Sequence, residues 1–146
     1  MNSLKIYWQK RKFSQTPEPQ GKTKQSNQNR FVVHEHWATH HHFDFRLELD
    51  GVLKSWAIPK EIPRQIGVKR LAVQVEDHPV DYINFQGIIP EGNYGAGKVK
   101  IWDKGKFKLI EKFPGLIKFV LRGKKLKGQY VLFKFRNKNW LISKTI

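Results

Sequence analysis

No cysteine occurs in the chain, which excludes a disulfide framework and any metal site built on thiolates. No run of eighteen apolar residues occurs either, so no helical membrane span is expected. The first dozen residues mix charges with aromatics and lack the apolar stretch of a signal peptide. Acidic residues are scarce: 12 Asp and Glu stand against 28 Lys and Arg, a formal net charge of +16. A length of 146 residues suits one domain with a real core and is short for two. The expectation is a cytoplasmic, stand-alone domain.

The charge is unevenly spread. Residues 98–146 hold 15 Lys and Arg against Asp103 and Glu111, whereas residues 1–97 hold 13 against 10 acidic residues. A basic last third is the electrostatic footprint of a polyanion binder, since each neutralised phosphate releases counterions. Nucleic acid is the expected partner.

From His42 to Leu49 the chain alternates without a break. Phe43, Phe45, Leu47 and Leu49 share one face, and His42, Asp44, Arg46 and Glu48 the other. Period-2 alternation marks a half-buried strand, and Asp50-Gly51 supplies a tight hairpin turn into Val52–Trp56. On the polar face an imidazole, a carboxylate and a guanidinium stand roughly 7 Å apart in succession, with His36 a short connection upstream. Two histidines and a carboxylate suit Mn, Fe, Zn or Ni with positions left open for substrate. Arg46 is a fork for phosphate oxygens. The competing reading is a solvated strand face with a histidine-rich loop at His40–His42.

Elsewhere, Ser3 to Lys12 reads as a short helix with Ser3 as N-cap. Ser14 to Asn29, rich in Gln, Pro, Ser and Asn, reads as a loop or strap. Arg70 to Glu76 alternates again, with Leu71, Val73 and Val75 facing one way and Arg70, Ala72, Gln74 and Glu76 the other. Asp81 to Phe85 reads as a further short strand. The glycine-rich loop Gly87–Gly97 matches no Walker or dinucleotide pattern. Lys98–Trp102, Lys106–Ile110, Leu116–Leu121, Gln129–Phe135 and Trp140–Ser143 read as strands, with turns at Lys104-Gly105, Gly123–Gly128 and Asn137–Asn139. Ile117, Phe119 and Leu121 form one apolar face, and Val131, Phe133 and Phe135 another. Many short strands joined by turn residues point to a barrel or sandwich, with the five Trp and ten Phe filling its core.

Three ordered blocks carry a family resemblance: FVVHEHWATHHHFDFRLELDGVLKSWAIPK, KRLAVQVEDHPVDY and GIIPEGNYGAGKVKIWDKG. They resemble the 3′-phosphoesterase domain of bacterial DNA ligase D, which also occurs as stand-alone proteins. The weaker KRKFSQTPEP near the N-terminus, and KGQYVLFKF and NWLISK near the C-terminus, extend the similarity over nearly the whole chain. The resemblance implies a mainly β fold, a compact antiparallel β-barrel with a short N-terminal helix: one domain over 1–146, with residues 1–30 as helix and strap and 31–146 as barrel core. It implies a Mn²⁺-dependent enzyme, other divalent transition metals being possible. Its activity would remove a 3′-terminal ribonucleoside from DNA and then the 3′-phosphate, leaving a 3′-OH.

The family's metal ligands correspond to His36, His42 and Asp44, and its phosphate-binding and catalytic positions to Arg46 and His78. Tyr82, Lys60, Arg70 and Glu76 match further positions important to activity. The family usually has Leu-His-Tyr-Asp where His41-His42-Phe43-Asp44 stands, and commonly Gln at His34, so His34 and His41 add imidazoles near the site. His78, an imidazole that ordinarily titrates near neutral pH, is expected to be the general acid. The expected substrates are DNA 3′ ends on a primer–template carrying a terminal ribonucleotide or a 3′-phosphate. Any joining would then fall to a separate repair ligase and polymerase. Two other classes stay open: a non-catalytic nucleic-acid-binding barrel, and a non-haem Fe(II) oxygenase, which also uses two histidines and a carboxylate.

Overall fold

The computed structural model describes residues 3–24 and 28–146. Residues 1–2, part of the N-terminal segment considered as a signal, and 25–27 of the expected strap lie outside them. A short helix α1 (Lys5–Gln9) precedes nine strands: β1 (Arg30–Trp37), β2 (His41–Leu49), β3 (Val52–Ile58), β4 (Lys69–His78), β5 (Gly87–Ile89), β6 (Gly97–Phe113), β7 (Leu116–Gly123), β8 (Lys127–Arg136) and β9 (Asn139–Lys144). A 3-10 helix, Val80–Asn84, lies between β4 and β5.

All pairings between the named strands are antiparallel, in the order β1-β2-β3-β4-β9-β8-β7-β6, and a further β1–β6 pairing closes eight strands into a ring. β5 pairs only with the start of β6, outside the ring. Every ring strand contributes to one interior cluster, including Phe31, Phe45, Trp56, Ala72, Phe107, Phe119, Tyr130 and Trp140. The mainly β barrel-like architecture and the short helix are as expected. Among the described residues, no helix is long and apolar enough to cross a membrane.

The β2–β3 hairpin follows the alternation. Asp50 and Gly51 both have positive φ, 56° and 79°, the signature of a two-residue type I′ turn matched to strand twist. The other face of β2 departs from the half-buried expectation: Asp44, Arg46 and Glu48 are buried as deeply as the phenylalanines. They lie outside the ring, yet a second apolar cluster covers that surface. It brings together Tyr7 from α1, Val32, Leu53 and Val99 from the ring, and Tyr82, Ile83 and Phe85 from the 3-10 segment.

Other elements differ from expectation. α1 is capped by Leu4 rather than Ser3, with no side-chain cap bond; burial of Leu4 and Tyr7 sets this five-residue helix. The expected strand Asp81–Phe85 is instead the 3-10 helix Val80–Asn84 with Phe85 extended after it, entered through Pro79 at φ −66°. Lys104-Gly105 is no turn but the middle of the seventeen-residue β6. A Cβ at Gly105 would lie 2.3 Å from the Arg122 carbonyl oxygen, so glycine serves close approach of β7. On β8 the inward residues are Tyr130 and Leu132, while Phe133 and Phe135 are about half exposed. Pairing of Tyr130 with Phe119 and of Leu132 with Ile142 decides the face. Likewise on β4, Ala72 enters the core and Leu71 stays outside, so the aromatics and larger apolar residues do not all fill the interior.

Candidate active site

The buried outer face of β1 and β2 is built from cross-strand pairs. His36 stands opposite His42, His34 opposite Asp44, and Val32 opposite Arg46. His36 Nδ1 and His42 Nε2 lie 3.5 and 3.2 Å from Asp44 Oδ2. One donor atom from each of the three residues falls within 4.8 Å of the others.

The orientation of both rings is fixed from behind. His36 Nε2 is 2.7 Å from the Gly95 carbonyl and His42 Nδ1 is 2.9 Å from the His40 carbonyl. A carbonyl oxygen only accepts, so these nitrogens carry the protons. The lone pairs of His36 Nδ1 and His42 Nε2 are left to converge on Asp44. Backbone carbonyls holding the tautomer of ligand imidazoles are the usual second layer of a metal site. Two imidazole nitrogens with lone pairs and a carboxylate suit a hard-to-borderline divalent cation such as Mn²⁺.

Charge within the cluster is tightly coupled. Burial raises the Asp44 carboxyl, but the Arg46 charge, with His36 and His42 beside it, overcomes this and holds the group well below its ordinary value. Burial lowers His42, and the Asp44 hydrogen bond and charge more than offset that, leaving it raised. A proton and a cation therefore compete for His42 Nε2.

Arg46 is only 3% exposed. Its Nε donates to His34 Nδ1 at 3.1 Å, and its Nη2 lies 3.5 Å from Asp44 Oδ2. The Tyr82 ring packs 4.9 Å from the guanidinium. Among the described residues the Arg46 Nη1 is buried with no hydrogen-bond partner, a costly arrangement that an anionic oxygen would relieve. His34 donates through Nε2 to the Phe85 carbonyl at 3.0 Å, so both its nitrogens are committed. It orients Arg46 and is no metal ligand. His41 pairs with Glu35 instead.

His78 and Glu76, from the end of β4, line the same cavity of about 470 Å³ as His36, His42, Asp44, Arg46 and Tyr82. His78 Nδ1 donates to the Glu76 carbonyl at 3.0 Å, and Arg11 Nη2 is 3.4 Å from Nε2. Burial, with the positive charges of Arg46 and Arg11, holds His78 well below its ordinary value. The expectation of an imidazole titrating near neutrality therefore fails: His78 is neutral and its Nε2 is an acceptor. Tyr82, its hydroxyl donating to Glu18 Oε2 at 2.6 Å, is pushed up by burial. Lys60, exposed just beyond β3, and Arg70, at the opposite end of β4 from His78, are not brought to the cavity.

One wall comes from the N-terminal strap. Arg11 reaches Glu18 at 3.0 Å and Glu76 at 3.2 Å, with its guanidinium 3.9 Å from the Tyr7 ring centre. Thr16 donates to Glu18 at 2.9 Å. Residue-by-residue reading of the sequence did not single out Arg11 and Glu18; the signal that contained them was the KRKFSQTPEP block.

A family model described as the DNA ligase D 3′-phosphoesterase domain matches residues 34–134. This chain belongs to that family. Among relatives, the multifunctional non-homologous end joining protein LigD of Pseudomonas aeruginosa is 48% identical over 139 residues, covering 90% of this chain and 16% of that protein. The Mycolicibacterium smegmatis protein of the same name is 44% identical over 153 residues, covering 96% and 20%. The Mycobacterium tuberculosis LigD is 45% identical over 145 residues, covering 94% and 19%. The chain thus spans a fifth or less of the length of these relatives. The match to the 3′-phosphoesterase domain includes every residue of the triad and also Arg46, His78 and Tyr82, but not Arg11 and Glu18.

The buried imidazoles give the protein a distinct acid sensitivity. His34 is lowered from 6.5 to about 3, chiefly by burial and then by Arg46, and His78 is lowered too. Below pH 6.5 the unfolded chain takes up protons that the folded chain refuses, so stability falls with pH by about 1.4 kcal/mol per unit per such group. The raised His42 acts in the opposite window, and its contribution is already complete below 6.5. The urea midpoint of metal-free protein is expected to fall steadily from pH 6.5 to about 4.5. A flat profile across that range would show that the two rings are not buried neutral.

Proposed function

We propose that this chain is a divalent-metal-dependent 3′-end-healing phosphoesterase acting in DNA break repair by end joining. It removes a 3′-terminal ribonucleoside to leave a 3′-phosphate, then removes that phosphate to leave a 3′-OH. The carrying observation is the convergence of His36 Nδ1, His42 Nε2 and Asp44 Oδ2 beside the partnerless Nη1 of Arg46. His36, His42 and Asp44 would hold Mn²⁺, which when bound supplies Lewis-acid polarisation of a phosphate oxygen.

The chain's own groups divide the remaining work. Arg46 donates its free N–H to a second phosphate oxygen and neutralises charge as it builds in the transition state. His34 and Tyr82 hold the guanidinium in place. His78, neutral with a lone pair on Nε2, accepts the proton of the attacking hydroxyl or water and returns it to the leaving oxygen, the reverse of the acid-first role expected from sequence. Arg11, clamped by Glu18 and Glu76, places positive charge on the other side of His78. Lys60 and Arg70 carry no part of this step.

The test is a labelled primer–template ending in one ribonucleotide, incubated with Mn²⁺ or with EDTA. Conversion first to a 3′-phosphate and then to a 3′-OH, absent with EDTA, is the expected result. Intact ends with Mn²⁺ and retained salt-sensitive DNA binding would replace this reading with a non-catalytic binding module.

A further inference from the structure

The ring carries a feature that the phosphate chemistry leaves unused. Arg30 on β1 stands opposite Lys106 on β6, Lys106 opposite Arg122 on β7, and Arg122 opposite Lys127 on β8. Four adjacent strands thus present a cation at the same register position. All four alternate with interior residues (Phe31, Phe107, Leu121, Leu126) and so share the outer face. Lys104 and Lys108 flank Lys106 on that face, opposite Val32 and Val120. Like charges directly opposite one another repel. Arg30 is neutralised by Glu48, but among the described residues Lys106, Arg122 and Lys127 make no ion pair at 4.0 Å or less.

The row and the cavity share the outer face of β1, and Val99 of β6 lines the cavity as well. His36 and Arg30 are six residues apart on β1, roughly 20 Å at the strand rise, a distance that about six base pairs of duplex cover. The row itself is roughly 14 Å across, three interstrand spacings.

We infer that the row Arg30–Lys106–Arg122–Lys127 is a second nucleic-acid contact, which grips the phosphate backbone of a duplex about six base pairs from the 3′ end held in the cavity. This rests on the proposed 3′-end chemistry for the position of that end. Contact is to phosphate, so it positions the duplex without reading sequence.

The experiment uses the triple variant Lys106→Gln/Arg122→Gln/Lys127→Gln, with Arg30 kept as the partner of Glu48. A control variant of equal charge, Lys69→Gln/Lys134→Gln/Lys138→Gln, alters exposed lysines away from the row. Binding is measured in EDTA by fluorescence anisotropy over a salt series. The ligands are a duplex of about eighteen base pairs and a hairpin whose stem of about four is too short to reach the row. On the long duplex the slope of log K against log salt is expected to become shallower by about 2–3 for the row variant, near 0.9 per lost phosphate contact. The control variant and the short hairpin should leave it unmoved. An unchanged slope on the long duplex, or an equal change with the control variant or the hairpin, overturns the assignment.

A parallel assay with Mn²⁺ and a mononucleoside 3′-phosphate separates this inference from the functional reading. Hydrolysis at the wild-type rate by the row variant, with the altered slope, supports both. An altered slope with no hydrolysis by any protein sinks the enzyme and keeps the row. Hydrolysis with an unaltered slope does the reverse. Equal circular dichroism and melting temperature of the two triple variants confirm that both are folded.

Discussion

Replacing Asp44 by alanine is expected to cost the metal-free protein about 3–5 kcal/mol and to abolish metal uptake. The carboxylate is buried among Arg46, His36 and His42, and it is the counter-charge of Arg46. Without it, the 3%-exposed guanidinium of Arg46 keeps, among the described residues, only His34 Nδ1 as a close acceptor, and a buried cation without a counter-charge is among the most damaging single changes. The melting temperature should fall by roughly 10 °C. Calorimetric titration with Mn²⁺ should be featureless where the wild type gives a saturating isotherm. Unchanged melting together with a normal isotherm would show that Asp44 is neither the counter-charge nor a ligand.

Arg46→Lys should be nearly as inactive as Arg46→Gln, with 3′-phosphatase turnover down on the order of 10²–10³-fold and Mn²⁺ binding retained. The guanidinium is used as a fork: Nε is held by His34, Nη2 lies beside Asp44, and Nη1 is left for substrate. A lysine keeps the charge but cannot satisfy three fixed directions from one nitrogen. Steady-state kinetics on a 3′-phosphate-ended primer beside a Mn²⁺ titration distinguishes this from a collapsed site. Near-wild-type turnover of the lysine variant would reduce Arg46 to a point charge.

The alternation from His42 to Leu49 put His42, Asp44 and Arg46 on one face because a strand has only two faces, and hydrophobicity labels one of them. Its burial was not legible, since the cover comes from Tyr7, Tyr82 and Phe85, residues distant in sequence and of no periodic relation to β2. Where both faces of a strand are apolar, alternation decides nothing. On β8, Tyr130 and Leu132 compete with Val131, Phe133 and Phe135, and only pairing with β7 and β9 resolves it. Gly105 shows the same limit from another side. Local composition reads it as a turn, but its reason is the Arg122 carbonyl on another strand. His78 illustrates the electrostatic version, for its proton affinity is lowered first by burial and then by Arg46 and Arg11, neither of which is near it in the chain.

The two-residue turn at Asp50-Gly51 joins these matters. β2 hands alternate residues to two places, Phe43, Phe45 and Leu47 to the interior of the ring and Asp44 and Arg46 to the cavity, with nothing but parity to keep them apart. A slip of one position exchanges the sets wholesale. The turn, with both residues at positive φ, fixes that parity, and a Cβ at Gly51 would lie 2.0 Å from the Lys24 carbonyl of the strap. A single inserted or deleted residue there would not merely loosen a surface loop. It would present phenylalanine where the carboxylate belongs and bury the carboxylate in oil, so the fidelity of the cavity is kept at a hairpin that never touches it.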